Sequence, residues 1–428
     1  MINFCLINLI LIYFKIYLNF IWFENFYGWA FNINLIRGFL IFLSILIFFV
    51  IHIIRFELTI ERNFLKDLID LRLIILIIFF LSDFIINFYL IIELSLIPVF
   101  TIIIGWGYQP ERLNAGIWIF LYTLLRAIPF FFEFFFYLKS FNISNFFLFP
   151  YIFIRNLKSC NLIFEFLFIL GFLIKFPIYI IHMWLPRAHV EAPLIGSVLL
   201  AAILLKLAGF AIIKFNLFLI HIKFIRFIKL FCLGGGAYVR IICILEKDIK
   251  KLIAYRSVGH IRLVILRLFI KTNLGFKGGY LFILTHGVTS SVLFIGRYYI
   301  YIISQRRCIF LNFRFLNYWP IFTFFWFLRN LRGISAPPSR RFFSEILCVI
   351  RRLNWNLNFI PFIFIILFIS VRYSIILYRM TQYGQSDPKK FFLLTTIINL
   401  NLILHRYIIF FFIFILCFIY LESIIIVY

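Results

Sequence analysis

The sequence predicts an all-α polytopic membrane protein with about 12–14 transmembrane helices, each needing about 20 mostly apolar residues. Of its 428 residues, 65% are apolar and only 14% are charged, whereas soluble globular chains are about 45–50% apolar and about 25% charged. Apolar runs of spanning length recur from end to end between short polar turns. A membrane β-strand needs only about 10 alternating residues. The run lengths therefore exclude a barrel, and the composition excludes a soluble protein.

The apolar runs predict where the spans lie. They are near 2–22, 34–54, 72–85, 87–106, 115–138, 161–181, 193–215, 223–245, 252–270, 279–303, 315–331, 337–350, 356–378 and 402–427. The expected polar connections are Glu61–Asp70, Tyr108–Leu113, Lys139–Asn145, Glu246–Lys251 and Thr381–Lys390. We therefore expect a single transmembrane domain over 1–428, with no soluble part to hold a nucleotide, an iron–sulfur cluster or a haem.

Neither a metal ion nor nucleic acid is an expected ligand. The seven cysteines contain no Cys-x-x-Cys pair, so they indicate neither a metal site nor a disulfide framework. His182 and His189 flank a turn but lack a third and a fourth metal ligand. Gly234–Gly236 lacks the Gly-Lys-Ser/Thr of a phosphate loop and is better explained by close helix packing. The net charge of +26 comes from basic residues that mostly stand singly in apolar runs, which argues against nucleic acid.

Two ionisable residues lie beside prolines that interrupt predicted helices. Glu93 lies mid-span before Pro98, and Lys175 lies two residues before Pro177. A lone charge in hydrocarbon costs at least about 2.5–3.5 kcal/mol, so each needs a partner, water or a function. A broken helix frees carbonyl groups that can hold water or a proton carrier. Two alternatives stay open: Glu93 as a carboxyl bonded at a helix contact, and Lys175 as a lysine that extends to the membrane surface.

Three further ionisable residues are predicted at membrane depth. Lys206 lies far from either end of its span, where extension to the surface is difficult. Glu345 follows the double helix break Pro337-Pro338, although the start of a helix at the membrane edge would explain it equally well. His286 could exchange protons near neutral pH, or it could be a single histidine bonded to a neighbouring helix.

Taken together, these residues predict a proton path. Glu93, Lys175, Lys206 and Glu345 would carry it, with His286 as a possible relay, because alternating acids and lysines can pass charge by pairing and unpairing. Helices interrupted at corresponding places also predict the inverted repeats of antiporter-like transporters, with two broken helices.

Eight sequence blocks carry a family resemblance. They are Glu93–Pro98, Trp106–Gly116, Lys175–Tyr179, His182–Pro193, Leu205–Gly209, Lys251–Tyr255, His286–Ser291 and Ser335–Pro338. Together they resemble the chain 4 family of NADH–ubiquinone oxidoreductase, an antiporter-like membrane-arm subunit of respiratory complex I. The most specific block is the run from Trp184 to Pro193. The resemblance covers about 90–350, and the ends 1–70 and 380–428 match only in hydropathy.

The resemblance implies a proton-translocating subunit of an enzyme, NADH:ubiquinone oxidoreductase, with no redox site of its own. In this family the acid matching Glu93 pairs with the lysine matching Lys175, the lysine matching Lys206 lies on the central axis, and the acid matching Glu345 lies toward the exit. NADH, FMN, iron–sulfur clusters and ubiquinone belong to other subunits. The implied partners are other membrane-arm subunits and the lipid bilayer, and the implied location is the mitochondrial inner membrane.

Two other functions remain open. A stand-alone monovalent cation/proton antiporter would share the pattern of acids and lysines, and a membrane scaffold that has lost transport would keep the helices. The run from Trp184 to Pro193 and the lack of soluble appendages favour the complex I subunit over the antiporter. The presence of all four interior ionisable residues argues against the scaffold.

The arginine content departs from the family pattern. The chain has 26 arginines but only 18 serines, and several arginines occupy positions where the family has serine or another small residue. Some mitochondrial codes read AGA and AGG as serine, and membrane helices favour small hydroxylated residues at their contacts. Arg112 and Arg187 fit basic positions of the family. The positions where we hypothesise that the protein carries serine are Arg37, Arg126, Arg256, Arg262, Arg297, Arg329, Arg332 and Arg340.

Overall fold

The computed structural model describes residues 28–57, 62–141, 170–215, 222–269, 273–311, 315–318, 320–337, 339–353 and 360–383. The predicted all-α class is confirmed for these residues. Their helices are α1 (Gly28–Glu57), α2 (Arg62–Leu81), α3 (Ile85–Leu94), α4 (Ile97–Trp106), α5 (Arg112–Phe141), α6 (Trp184–Glu191), α7 (Leu194–Leu199), α8 (Leu205–Phe215), α9 (Ile222–Leu245), α10 (Ile249–Leu268), α11 (Asn273–Ser304), α12 (Phe315–Tyr318), α13 (Pro320–Ile334), α14 (Arg340–Leu353) and α15 (Ile360–Gln382). A π-helical turn, Leu200–Leu204, joins α7 to α8.

Seven helical segments of the described chain are long and apolar enough to cross a membrane. They are Ile36–Ile54, Ile86–Trp106, Arg112–Phe132, Leu194–Phe215, Ile228–Leu245, Gly275–Ile302 and Ile363–Gln382. The polytopic membrane class is thereby confirmed. The predicted spans 2–22 and 402–427, and the first part of 161–181, lie outside the described residues, as does most of the predicted loop Thr381–Lys390.

The segment from α7 to α8 forms the centre of the described bundle. Every residue from Leu194 to Phe215 is buried, as expected for a helix that is apolar all round. Pro193 caps α7 with extended backbone, φ −61° and ψ 170°. Helix α11 packs along α7, the π-turn and α8, and it also contacts α10 and α14. Side chains on α8, α10 and α11 therefore meet in the interior.

One predicted connection is wrong. Residues 62–70 of the predicted connection Glu61–Asp70 belong to α2. The segment is polar, but it forms an amphipathic helix and not a loop. Leu65 and Ile69, one turn apart, are buried, whereas Lys66 and Asp67 are exposed. Of the predicted connection Lys139–Asn145, the first three residues are helical, since α5 continues to Phe141.

Helix α14 is shorter than a span. The run 337–350 predicts a spanning helix, but α14 has 14 residues, which gives it a length of about 21 Å against a hydrocarbon core of about 30 Å. It follows α13 after a short non-helical segment and lies along α11. Helices α13 and α14 thus form the two halves of a broken helix.

Candidate functional site

A buried lysine contacts a buried histidine at the centre of the described bundle. Lys206, on α8, is 3% exposed, and its Nζ lies 3.2 Å from Nδ1 of His286 on α11. The same Nζ donates a hydrogen bond to the carbonyl oxygen of Ala201. At this distance a proton can pass directly between the two side chains. The structure therefore brings together two of the residues that the sequence predicts at membrane depth.

The π-turn Leu200–Leu204 prepares this contact. A π-turn widens the backbone hydrogen bond from i+4 to i+5, and single π-turns within α-helices occur frequently at functional sites. Ala201 lies in the turn and Lys206 lies just after it. The turn therefore brings the carbonyl of Ala201 within reach of a side chain five residues later.

A second histidine, which the sequence analysis did not single out, lies beside the first. His260, on α10, is 2% exposed, and its ring centroid lies 6.1 Å from that of His286. Neither of its ring nitrogens has a hydrogen-bond partner among the described residues. One signal was present in the sequence, because His260 lies in the middle of the predicted span 252–270. Nothing in the sequence showed that α10 and α11 would bring the two rings together.

Glu345 is connected to His286 through Arg341 and Phe282. Its Oε1 accepts a hydrogen bond from Ser335 Oγ at 2.7 Å and lies 3.8 Å from Nε of Arg341. The Arg341 guanidinium is 4.7 Å from the ring centre of Phe282. Phe282 in turn stacks on His286, with ring centroids 6.2 Å apart. A continuous set of side-chain contacts thus connects the histidine to the acid.

Helix α13 ends shortly before Glu345, at the place where the prolines predict a helix break. Ser335 has a left-handed backbone, φ 68°, and its N–H bonds to the carbonyl of Arg332 at 3.2 Å. The next N–H bonds to the carbonyl of Leu331 at 3.1 Å. These two bonds form the Schellman motif that ends many helices. Pro337 follows directly, and Pro338 lies outside the described residues. The break turns the Ser335 hydroxyl toward Glu345.

The break at Pro98 creates a backbone site for Lys175. Helix α3 ends and α4 begins just before this proline. In the tightened turn between them, the N–H of Leu96 bonds to the carbonyl of Glu93 at 3.0 Å. In a regular helix that N–H would bond to the carbonyl of Ile92. The freed Ile92 oxygen accepts a hydrogen bond from Lys175 Nζ at 3.0 Å.

The carboxylate of Glu93 has a different partner from the one that the resemblance implies. Its Oε1 lies 2.6 Å from Nη2 of Arg126 on α5. Lys175 reaches the backbone next to Glu93 and not the carboxylate itself. The structure therefore places Glu93 and Lys175 at the same helix break. The carboxylate of Glu93 forms an ion pair with Arg126.

The break at Pro177 explains a tryptophan of the most specific sequence block. The chain is helical over 170–175, and Ile180 has a positive φ of 76° before α6 begins. Pro177 interrupts the helix, and the carbonyl of Ile174 accepts a hydrogen bond from the indole Nε1 of Trp184 at 3.3 Å. Trp184 thus supplies a hydrogen-bond donor to a carbonyl at the end of the broken helix that contains Lys175.

Gly209, on α8, lies where the broken helix that contains Lys175 packs against α8. A Cβ atom at Gly209 would lie 3.3 Å from Phe176 Cε2 and 3.0 Å from Ile283 Cδ1. The missing side chain lets both the broken helix and α11 approach α8 closely. Because Phe176 follows Lys175 and Gly209 lies three residues after Lys206, the broken helix that bears Lys175 packs against the helix that bears Lys206.

The histidines of the run from Trp184 to Pro193 pack against aromatic rings. His182 stacks on Tyr179 and His189 on Phe294, with centroid distances of 6.0 and 4.8 Å. Both histidines are buried. Among the described residues, no group of three or more His, Cys, Asp or Glu residues could hold a metal ion.

Lys250 fastens the corner between α6 and α7. It is buried at the start of α10, and its Nζ donates hydrogen bonds to the carbonyls of Val190, at 2.9 Å, and Ala192. An ammonium is favourable at a helix C-terminus, where carbonyls lack helical partners. This role could not be predicted from the sequence, because the two carbonyls lie about sixty residues away from Lys250 in the chain.

Lys250→Met should destabilise the protein, while Lys251→Met should not. The first change leaves two buried carbonyls without a donor, which costs about 1–3 kcal/mol for each unsatisfied group. Lys251 is half-buried, and its Nζ lies 3.4 Å from Glu246 Oε2, in a partly solvated pair worth only about 0–1 kcal/mol. Thermal unfolding of the two variants in detergent measures the difference. Equal melting temperatures would contradict the role given to Lys250.

Sequence comparison identifies the class of protein to which this fold and site belong. Residues 82–371 match the family described as NADH:quinone oxidoreductase/Mrp antiporter, TM. The chain belongs to this family of antiporter-like membrane proteins. Within it, the chain is a member of the NADH-ubiquinone oxidoreductase chain 4 group. It is 36% identical over 331 residues to the chain 4 protein of Ceratitis capitata and 38% identical over 301 residues to that of Aedes aegypti.

The extent of these matches is similar in both relatives. They cover 76% and 69% of this chain, and 73% and 66% of the Ceratitis and Aedes proteins. The chain thus spans about two thirds to three quarters of the length of these relatives. The fold is also similar to a chain of respiratory complex I from Thermus thermophilus, with a TM-score of 0.71 and 20% identity, covering 85% of this chain and 76% of that one.

Proposed function

We propose that this chain moves protons across the membrane as a subunit of NADH:ubiquinone oxidoreductase. The observation that carries the proposal is the contact of 3.2 Å between Lys206 and His286 in the buried centre of the bundle. Lysine gives up its proton more readily than arginine when it is buried, and histidine exchanges protons near neutral pH. Two such groups within hydrogen-bond reach form one step of a proton path.

The path continues to either side of this contact. On one side, waters would connect Lys206 to Lys175 and Glu93, because the broken helix that bears Lys175 packs against α8 at Gly209. On the other, waters would connect His286 to His260 and to Glu345, because the phenyl ring of Phe282 that lies between His286 and Arg341 carries no proton. Single waters, or small rotations of the side chains, would bridge the gap between the two histidine rings. The proposed proton path contains the five residues predicted from the sequence: Glu93, Lys175, Lys206, His286 and Glu345. His260 is a sixth member of this path.

The energy for translocation would come from other subunits. We propose that NADH, FMN, iron–sulfur clusters and ubiquinone are bound elsewhere in the assembly and that the described residues of this chain bind no cofactor. The partners would be neighbouring membrane-arm subunits and lipid, without nucleic acid. We also place the chain in the mitochondrial inner membrane, as implied by the resemblance and consistent with the animal sources of the chain 4 relatives.

Purification in a mild detergent tests this proposal. We expect the chain to migrate with a very large assembly that oxidises NADH. Vesicles containing the assembly should acidify when NADH is supplied and quinone is present, and an uncoupler should abolish the acidification. Migration of the chain without any NADH-oxidising partner would contradict the proposal.

A stand-alone cation/proton antiporter is the second candidate, because the matching family includes Mrp antiporters. Vesicles that contain only the purified chain distinguish the two functions. An imposed sodium or potassium gradient should drive proton exchange if the chain is an antiporter. We expect no such exchange. A chain that neither exchanges cations nor supports NADH-driven pumping would be a scaffold.

A further inference from the structure

The contact between Lys206 and His286 lies against a glycine. Gly287 directly follows His286 on α11. A Cβ atom at Gly287 would lie 3.2 Å from Lys206 Cε, 3.4 Å from the carbonyl oxygen of Ala202 and 3.0 Å from Leu43 Cδ2. The glycine therefore leaves open the space through which the end of the lysine side chain passes.

The three neighbours differ in how easily they could move. The Leu43 atom is the far end of a flexible side chain, and the Ala202 oxygen belongs to the backbone of the π-turn. The Cε of Lys206 is one bond from Nζ, and Nζ is held by the carbonyl of Ala201 and by His286. An added methyl group at residue 287 would thus press on an atom that positions the ammonium.

We propose that Gly287 is a positioning residue for proton transfer, because its missing side chain allows Lys206 Nζ to reach His286. This inference rests on the proposed function. Proton transfer needs donor and acceptor within about 2.6–3.2 Å, and the observed separation of 3.2 Å is at the upper end of that range. A displacement of the lysine by a few tenths of an ångström therefore breaks direct transfer.

A purely structural role for Gly287 makes a different prediction. The residue lies within α11, and alanine is favoured over glycine in helix interiors by about 1 kcal/mol. If Gly287 only packs against Leu43, an alanine would be tolerated once Leu43 is shortened. If Gly287 positions Lys206, shortening Leu43 would not help, because the contact with Lys206 Cε remains.

Four variants of the intact complex separate these roles. Gly287→Ala is compared with Leu43→Ala, with the double variant, and with Gly234→Ala, whose Cβ would meet no atom within 4 Å. The measurements are the rate of NADH-driven proton translocation and its pH profile, with the rate normalised to the amount of assembled complex. Positional errors in catalytic groups cost up to about a hundredfold per ångström, so we expect about a tenfold loss in Gly287→Ala and in the double variant, with a shifted pH profile. Gly234→Ala and Leu43→Ala should keep the wild-type translocation rate and pH profile.

Two results would overturn the inference. One is a Gly287→Ala complex that pumps like Gly234→Ala, and the other is a double variant that pumps like Leu43→Ala. Lys206→Ala, measured in parallel, separates this inference from the proposed function. If Lys206→Ala pumps normally, the proposed path itself fails. If Lys206→Ala loses pumping while Gly287→Ala does not, only the role of Gly287 fails.

Discussion

Lys206→Ala should lower NADH-driven proton translocation by about a hundredfold or more, the contribution typical of a positioned acid–base group. The ammonium of Lys206 is the group that joins the π-turn carbonyl of Ala201 to the ring of His286. Without it, neither group has its partner at the centre of the path. NADH oxidation should fall as well, because electron transfer is coupled to translocation in the proposed function.

Two further variants test which property of Lys206 is needed for pumping: its ability to release a proton, its positive charge, or only the presence of a buried lysine on α8. Lys206→Arg keeps the positive charge, but arginine does not release its proton in proteins. We therefore expect this variant to lose proton translocation as Lys206→Ala does. Lys214→Ala removes another buried lysine of α8, whose Nζ bonds to the carbonyl of Ser82 at 3.1 Å. This variant should keep its pumping. Quenching of a pH-sensitive dye in vesicles measures all three rates, and unchanged pumping in Lys206→Ala would remove Lys206 from the path.

Proline positions predicted three helix breaks from the sequence, although Pro129 lies inside α5 without interrupting it. A proline removes a backbone donor and blocks the preceding turn wherever it lies in a helix. The interruptions near Pro98, Pro177 and Pro337 follow from this local rule, and the structure shows all three. The partners of the freed carbonyls did not follow. Lys175 and Trp184 reach the carbonyls of Ile92 and Ile174 through tertiary contacts, which no local rule specifies.

Burial of single residues was also easier to predict than their neighbours. The central position of Lys206 in an apolar span predicted that it could not reach the surface. The roles of His260 and Lys250 required knowledge of how α10 packs against α11 and α6. The error at Glu61–Asp70 has a similar origin, because a polar segment forms a helix when one of its faces is buried by another element.

Direct sequencing of the protein is expected to find serine at Arg126, Arg256 and Arg262. A buried arginine at the centre of a span costs about 2.5–3.5 kcal/mol on insertion scales. Arg256 illustrates the misfit, because its Nε and Nη1 have no hydrogen-bond partner among the described residues. A Cβ atom on Gly333 would also overlap this guanidinium. A serine would fit the same space and could bond to its own helix.

Arg112 and Arg187 are the matched controls, since their side chains have partners. Arg112 Nη1 donates to the carbonyls of Gly105, at 3.2 Å, and Gly107, at 3.0 Å. The Arg187 guanidinium lies 4.2 Å from the ring centre of Trp118, where a cation is attracted to the aromatic face. Mass spectrometry of peptides should therefore find arginine at these two positions.

The exchange of arginine for serine would change the chemistry of the first helix break. Arg126 Nη2 lies 2.6 Å from Oε1 of Glu93 and pairs with its carboxylate. Lys175 Nζ donates a hydrogen bond to the neighbouring carbonyl of Ile92. With serine at 126 the carboxylate would lose this cation, and the ammonium of Lys175 would be the nearest replacement. Glu93 and Lys175 could then form the pair that the resemblance implies. CGN codons at 126, 256 and 262, or peptides that trypsin cleaves after these residues, would refute the exchange and leave Arg126 as the partner of Glu93.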